Sequence, residues 1–310
     1  AGNWDACSGY HYDDTTLKGF SHTHLSGTGC IDLGDILFRP TTLKPDLTTE
    51  NIYQPAAFSH KDEDASAGYY SVVLKEEGIK AELTVTAHAG MHRYTFPSGK
   101  EASIIIDLTH LLDNEYIYEA ELEQTAANEI TGMRRTRGWT DNQYVYFVAQ
   151  FSKPFQAIDF IQNKKMVSAG VKLIGTDLQA CLSFDNSNGE PVIAKVGLSI
   201  VSEKNARENL ETEVIGFDFD AVRSAARSAW EQALSAITVE GGNTDDLKNF
   251  YTAMYHSMVV PNVVSDVNGE YRRHNMEVGQ LPKGKVQYST FSLWDTFRAW
   301  NPLMTLIDTT

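Results

Sequence analysis

Cysteine is scarce in this chain. Cys7, Cys30 and Cys181 allow at most one disulfide and leave an odd thiol, which argues against a disulfide scaffold and against a cysteine-rich zinc site. Basic residues are also few: Lys plus Arg number 26 against 41 Asp plus Glu, and the net charge of −15 gives a surface that repels polyanions. Neither nucleic acid nor an anionic membrane is therefore expected as a partner. No apolar run approaches the roughly 18 residues of a membrane span, and nothing after Ala1 has the pattern of a signal peptide. A Gly-rich phosphate loop and a nucleophile elbow are missing too. There is no starting methionine, and from its abrupt ends the chain reads as a processed product or a piece of something longer.

What is present is a globular composition, 42% hydrophobic and 11% aromatic over 310 residues. At about 150 residues per domain this length predicts two domains. The densest stretch is Phe20-Ser21-His22-Thr23-His24-Leu25-Ser26-Gly27-Thr28-Gly29-Cys30-Ile31-Asp32-Leu33-Gly34-Asp35, which gathers two histidines, three glycines and two carboxylates. If residues 21–25 are extended, His22 and His24 project from one face, and the glycines let backbone approach another surface closely. That describes the wall of a polar pocket. The alternative is a strand followed by a Gly-rich bend whose histidines are satisfied by structural hydrogen bonds.

Residues 1–68 are rich in turn formers and include the acidic cluster Asp62-Glu63-Asp64. From Tyr69 the apolar period becomes two. Short alternating runs at 80–87, 91–96, 102–108, 116–122, 144–151, 180–184 and 192–200 predict an antiparallel β-sandwich, with Asn188-Gly189 as a hairpin turn between the last two. After Asp218 the period changes again. Phe219, Val222, Ala226, Trp230, Leu234 and Ile237 form one stripe of a helix ended by Gly241-Gly242, a candidate linker. Thr244 reads as the N-cap of a second helix, and a third is expected to start near Thr290 and run toward Leu303, with Pro302 either kinking it or marking a new start. The predicted domains are a sandwich over 1–217, a linker helix over 218–240 and an α-helical domain beginning at 241 and cut at 310.

Asp295 and Arg298 fall three apart on that third helix, among Trp294, Phe297 and Trp300. They are read either as a structural ion pair or as a sugar site, in which charged groups bond vicinal hydroxyls while an indole covers a ring face. Ser265-Asp266-Val267-Asn268-Gly269-Glu270 resembles a calcium loop only faintly and is read as a turn. The basic run Arg134-Arg135-Thr136-Arg137 is expected to pair with local carboxylates. Residue chemistry alone singles out no general acid or base.

Asn3-Trp4-Asp5-Ala6-Cys7-Ser8-Gly9-Tyr10, the 20–35 stretch and Tyr288-Ser289-Thr290-Phe291-Ser292-Leu293-Trp294-Asp295-Thr296-Phe297-Arg298 together resemble glycoside hydrolase family 92, the calcium-dependent exo-acting α-mannosidases. The resemblance covers essentially the whole chain. It implies a β-sandwich packed against an α/α six-fold toroid, a site at their interface, calcium as cofactor, mannose-containing glycans such as N-glycans as substrate, and inversion of configuration. It also implies a secreted or periplasmic enzyme. The family's general acid, general base and most calcium ligands fall beyond Thr310, so no residue here carries those roles. What carries over as substrate contacts is Asp295, Arg298, His22, His24 and, more weakly, Trp4. Two rivals are a glucoside-acting hydrolase or phosphorylase of the same architecture, and a carbohydrate-binding module without catalysis.

Overall fold

The computed structural model describes residues 9–26, 31–49, 51–112, 116–167, 170, 172–290 and 292–308. The alternating runs pair into two antiparallel sheets. The larger has nine strands, in the order Leu173–Gly175, Tyr116–Ala126, Glu129–Arg137, Gln143–Phe151, Val192–Ser199, Ala89–Thr95, Ile79–Val85, Tyr69–Leu74 and Glu63–Ser66. The smaller has five: Lys165–Val167, Ala157–Gln162, Leu178–Phe184, Ala102–Asp107 and Leu37–Thr41. Their facing sides bury the main core, with Phe38, Ile104 and Leu182 from the small sheet against Tyr94, Phe147 and Val196 from the large one. Removing these side chains from water is the principal force closing the sandwich.

Every predicted strand has a counterpart, but the Asn188-Gly189 hairpin does not. Strands Leu178–Phe184 and Val192–Ser199 lie in different sheets, so the turn at Asn188-Gly189, with Gly189 at φ +68°, carries the chain across the sandwich. A good turn sequence fixes the local reversal without fixing which sheet the outgoing strand joins.

The outer face of the large sheet is covered by two helices. Helix α1, Glu203–Glu213, starts where the Ser202 hydroxyl accepts from the Asn205 N–H, and it buries Ala206 and Leu210 against Met91 and Val148. Its approach needs Gly197, where a Cβ would sit 2.5 Å from Leu210 Cβ. Helix α2, Phe219–Leu234, corresponds to the expected 218–240 helix but stops at Leu234, short of Ile237 and the Gly241-Gly242 pair, and its first turn is docked on the sheet. Phe219 is buried under the Arg93 guanidinium, 4.3 Å from the ring centroid, and Arg93 Nη1 donates to Asp220 at 2.9 Å. Helix α3, Thr244–Ser257, is capped by Asn243 rather than Thr244, with Asp246 completing a capping box. The third predicted helix is two: α4, Leu293–Thr296, and α5, Trp300–Ile307, with Pro302 in the first turn of α5, where its missing N–H costs no helical bond. No described helix is long and apolar enough to cross a membrane. The β-then-α order agrees with the sequence expectation.

The 265–270 segment is a turn. Buried Asp266 accepts from Ser199, Asn205 and Asn209 side chains at 2.7 Å each, tying this loop to the sheet and to α1.

Candidate functional site

The segment around His22 does not form the expected extended strand. It pairs irregularly with the returning stretch, through the isolated bridges Phe20 to Phe38 and His24 to Leu33 and the His22 N–H donating to the Asp35 carbonyl at 3.0 Å, and the chain returns through Leu33 at φ +72°, Gly34 at +84° and Ile36 at +56°. Positive φ at a β-branched residue is costly and persists only where surroundings enforce it. Here the Ile36 carbonyl is held by His22 Nδ1 at 2.6 Å.

The two histidines part. His22 turns inward onto Phe38, and its Nε2 lies 2.9 Å from Nε2 of His92, whose Nδ1 is 2.7 Å from the Tyr94 hydroxyl. The chain of bonds admits one set of neutral tautomers: His22 Nδ1–H donates to the carbonyl, His92 Nε2–H donates to His22, and Tyr94 O–H donates to His92. Burial lowers His22 to about 4, with the Ile36 bond working against it, and holds His92 well below the ordinary histidine value. Both nitrogens of His22 are thus engaged inside the protein.

His24 instead faces a cavity of about 940 Å³. Its Nε2 lies 2.9 Å from Ser21 Oγ. Solvent reaches the ring, yet the enclosing walls strip away enough water to lower its basicity, partly offset by Asp35. The loop carrying it is pinned by Asp35, whose carboxylate accepts from the Thr23 hydroxyl at 2.7 Å and from Gln143 Nε2 at 3.0 Å.

The same cavity is lined by side chains that the sequence reading passed over. His60 lies within reach of Glu63 through Nδ1 and of the Tyr12 carbonyl through Nε2, both acceptors, so both ring nitrogens carry protons. Its pKa is raised, first by the Glu63 bond. Burial works to raise the Glu63 carboxyl, but bonds from Tyr70, His60 and Tyr10 overcome it and leave the value lowered. Tyr10 is pushed up to about 12, chiefly by burial beside that carboxylate. Tyr12 stacks on His60 with centroids 4.2 Å apart. His110 also lines the cavity, lowered to about 4 by burial, with Asp107 opposing and Lys18, Arg134 and His24 reinforcing. The one signal for this cluster was the His60–Glu63 spacing beside Tyr69-Tyr70, and it sat in a stretch that read as loop.

Asp295 and Arg298 do not line this cavity. Asp295 lies on α4 and Arg298 just beyond it, both exposed, and among the described residues no ion pair joins them. Arg298 lies over the Phe297 ring at 5.4 Å. Trp4 lies outside the described residues. Of the basic run, Arg137 pairs with the nearby Asp141 as expected, whereas Arg134 pairs with Asp35, far away in sequence. Among the described residues no group of three or more His, Cys, Asp or Glu is placed to hold a metal ion.

Comparison with known proteins accounts for both halves of the chain. Residues 1–199 match the glycosyl hydrolase family 92 N-terminal domain, and residues 205–310 match the glycosyl hydrolase family 92 catalytic domain. A family GH92 α-mannosidase from Bacteroides thetaiotaomicron is 36% identical with a TM-score of 0.91, aligned over 98% of this chain and 42% of its own; it has also been solved in complex with mannoimidazole. An inverting mannosidase of the same family and organism is 25% identical, with a TM-score of 0.83 over 96% of this chain and 39% of that one. A curated relative, described as an uncharacterized secreted glycosidase of Arthroderma benhamiae, is 29% identical over 95% of this chain and 41% of its own length. The chain thus spans about two fifths of the relatives it matches. With both family domains matched in order over nearly every residue, the chain belongs to glycosyl hydrolase family 92.

Proposed function

We propose that the protein containing this chain is an exo-acting α-mannosidase that removes terminal mannose from glycans with inversion, using calcium, and that it works outside the cytoplasm, secreted or periplasmic. The observation that carries this reading is the match of both family 92 domains, to which a relative solved with mannoimidazole adds a mannose-shaped ligand. In this reading α3 to α5 begin an α/α toroid that closes over the sandwich loops. An inverting glycosidase needs two carboxylates about 6.5–9.5 Å apart, one protonating the leaving oxygen and one activating water. Among the described residues no cluster is placed to hold a metal ion, and we assign the acid, the base and the calcium ligands to the part of the protein that this chain does not span. Calcium, when bound, would hold vicinal sugar oxygens. The residues here would bind: Asp295 and Arg298 offer charged hydrogen bonds to mannose hydroxyls, and His24 contributes from the sandwich side.

The test is release of mannose from linked mannobioses by the complete protein, with the product anomer followed by NMR. β-Mannose should appear first, and activity should vanish on chelation and return with calcium but poorly with magnesium, whose small octahedral shell suits such a site badly. Full activity after exhaustive chelation would remove calcium from the proposal, and α-mannose as first product would remove inversion.

A further inference from the structure

The 940 Å³ cavity beside His24 is larger than one terminal sugar requires, standing near the top of the roughly 300–1,000 Å³ range in which pockets enclose drug-sized ligands. Its walls come from the sandwich-side segments and from Tyr255 of α3, that is, from both family domains. Sugar rings present apolar faces rimmed by hydroxyls, so they are recognised by flat aromatic surfaces flanked by neutral donors and acceptors.

This cavity has both. One face of Tyr12 rests on His60, nearly parallel at 6°, while the residue stays 67% exposed. His60 is in turn fixed by Glu63 and the Tyr12 carbonyl, so the platform is held before any ligand arrives and little ordering entropy remains to be lost. Opposite chemistry comes from His24 and His110: among the described residues, His24 Nδ1 and both nitrogens of His110 make no hydrogen bond. Of the two carboxylates among the described residues that line it, Glu63 has both oxygens taken by Tyr10, Tyr70 and His60, which leaves Asp14 without a described counterpart across a scissile bond.

Resting on the mannosidase reading, we infer that this cavity receives the sugars on the leaving-group side of the scissile bond, with Tyr12 as stacking platform and His110 as a hydroxyl partner, so that the sandwich sets which glycans are accepted. The discriminating pair of substrates is α-mannotriose, which would fill the cavity, and α-mannosyl fluoride, whose leaving group is a single atom. In the complete protein, His110→Ala and Tyr12→Ala should each lower kcat/KM on mannotriose about tenfold, the size of one lost stacking or hydrogen-bond contact. Their kcat/KM on the fluoride should stay within about twofold of the unsubstituted enzyme, a difference too small to reflect a lost contact. Tyr12→Phe keeps the ring and should restore mannotriose activity. Tyr12 is exposed, so its variant stays folded even where His110→Ala does not. Equal losses on both substrates, or none on either, would overturn the inference. If the unsubstituted protein cleaves neither substrate, the mannosidase reading itself falls.

Discussion

Arg134 and Asp35 meet inside the sandwich with Nε 3.3 Å from Oδ1, each side chain only 1% exposed. Arg134 Nε and Nη1 make no hydrogen bond, so the carboxylate is the main compensation for a guanidinium removed from water. Asp35 spends its other oxygen on Thr23 and Gln143, and the ion pair therefore links strand Glu129–Arg137 to the loop that carries His24.

Asp35→Ala should strand that buried charge and cost about 3–5 kcal/mol. Asp35→Ala combined with Arg134→Met should cost clearly less than the two single changes added together, because the second change removes the stranded charge. Urea unfolding of the three variants measures this, and strict additivity would show that the two groups are not coupled.

The inward histidines set an acid limit on stability. His22 and His92 hold folded values below 6.5, so as pH falls the unfolded chain takes up protons that the folded chain refuses. Their contribution is present above about 6.5 and is lost as pH falls toward about 4. A His22→Gln/His92→Gln variant should be less stable near neutrality and show a flatter acid limb. Urea midpoints between about pH 7 and 4.5 read this directly, and an unchanged limb would place the acid sensitivity elsewhere.

His88 works in the opposite direction. Its Nδ1 faces Glu213 and its Nε2 lies 2.7 Å from the Ser265 carbonyl, so two acceptors demand an imidazolium. Burial opposes the charge, but the Glu213 bond and charge and the Ser265 carbonyl win and raise the pKa. Glu213 is held low by the bonds from His88 and Thr86 despite its burial. The stability contributed by His88 is full below about 6.5 and lost as pH rises through the raised folded value, while the contribution of Glu213 is lost only as pH falls through its lowered one. His88→Gln should abolish the alkaline loss, and hydrogen exchange should report loosening around residues 265–270. A variant with the same alkaline limb as the parent would count against a charged His88.

Asp295→Asn tests the proposed mannose contact. The side chain is exposed and, among the described residues, unpaired, so the melting temperature should hardly move. In the complete protein the loss of charge beside substrate hydroxyls should lower kcat/KM by roughly two orders of magnitude, about 3 kcal/mol of transition-state stabilisation. Near-normal kinetics would leave Asp295 without a role in binding.

The period-two strands were legible where side-chain chemistry alternates, as in Ile79–Val85, with Ile79 and Ala81 buried and Lys80 exposed between them. Strand Glu129–Arg137 was not, because its inward position 134 is an arginine neutralised by a carboxylate about a hundred residues earlier, which no local pattern reports. Helix α1 was hidden for a related reason. Its buried face is half asparagine, Asn205 and Asn209 beside Ala206 and Leu210, since it binds the Asp266 turn as well as the sheet. The divergence of His22 and His24 was not legible because it rests on distant partners: His22 meets the Ile36 carbonyl and His92, while His24 faces the cavity. Composition exposed the importance of this stretch; only the fold showed which imidazole meets solvent.

The helices docked on the large sheet have a practical consequence for anyone dissecting this protein. Family matching divides the chain between 199 and 205, yet the sheet's outer surface is sealed by Ala206, Leu210, Val214 and Phe219 from the far side of that cut. Trimming at the sequence boundary would bare Tyr69, Ala89, Met91 and Val148 as one greasy patch inviting aggregation. A fragment meant to behave in solution has to keep both helices and end in the glycine pair at 241–242, because mechanically the catalytic half begins as the sandwich's lid.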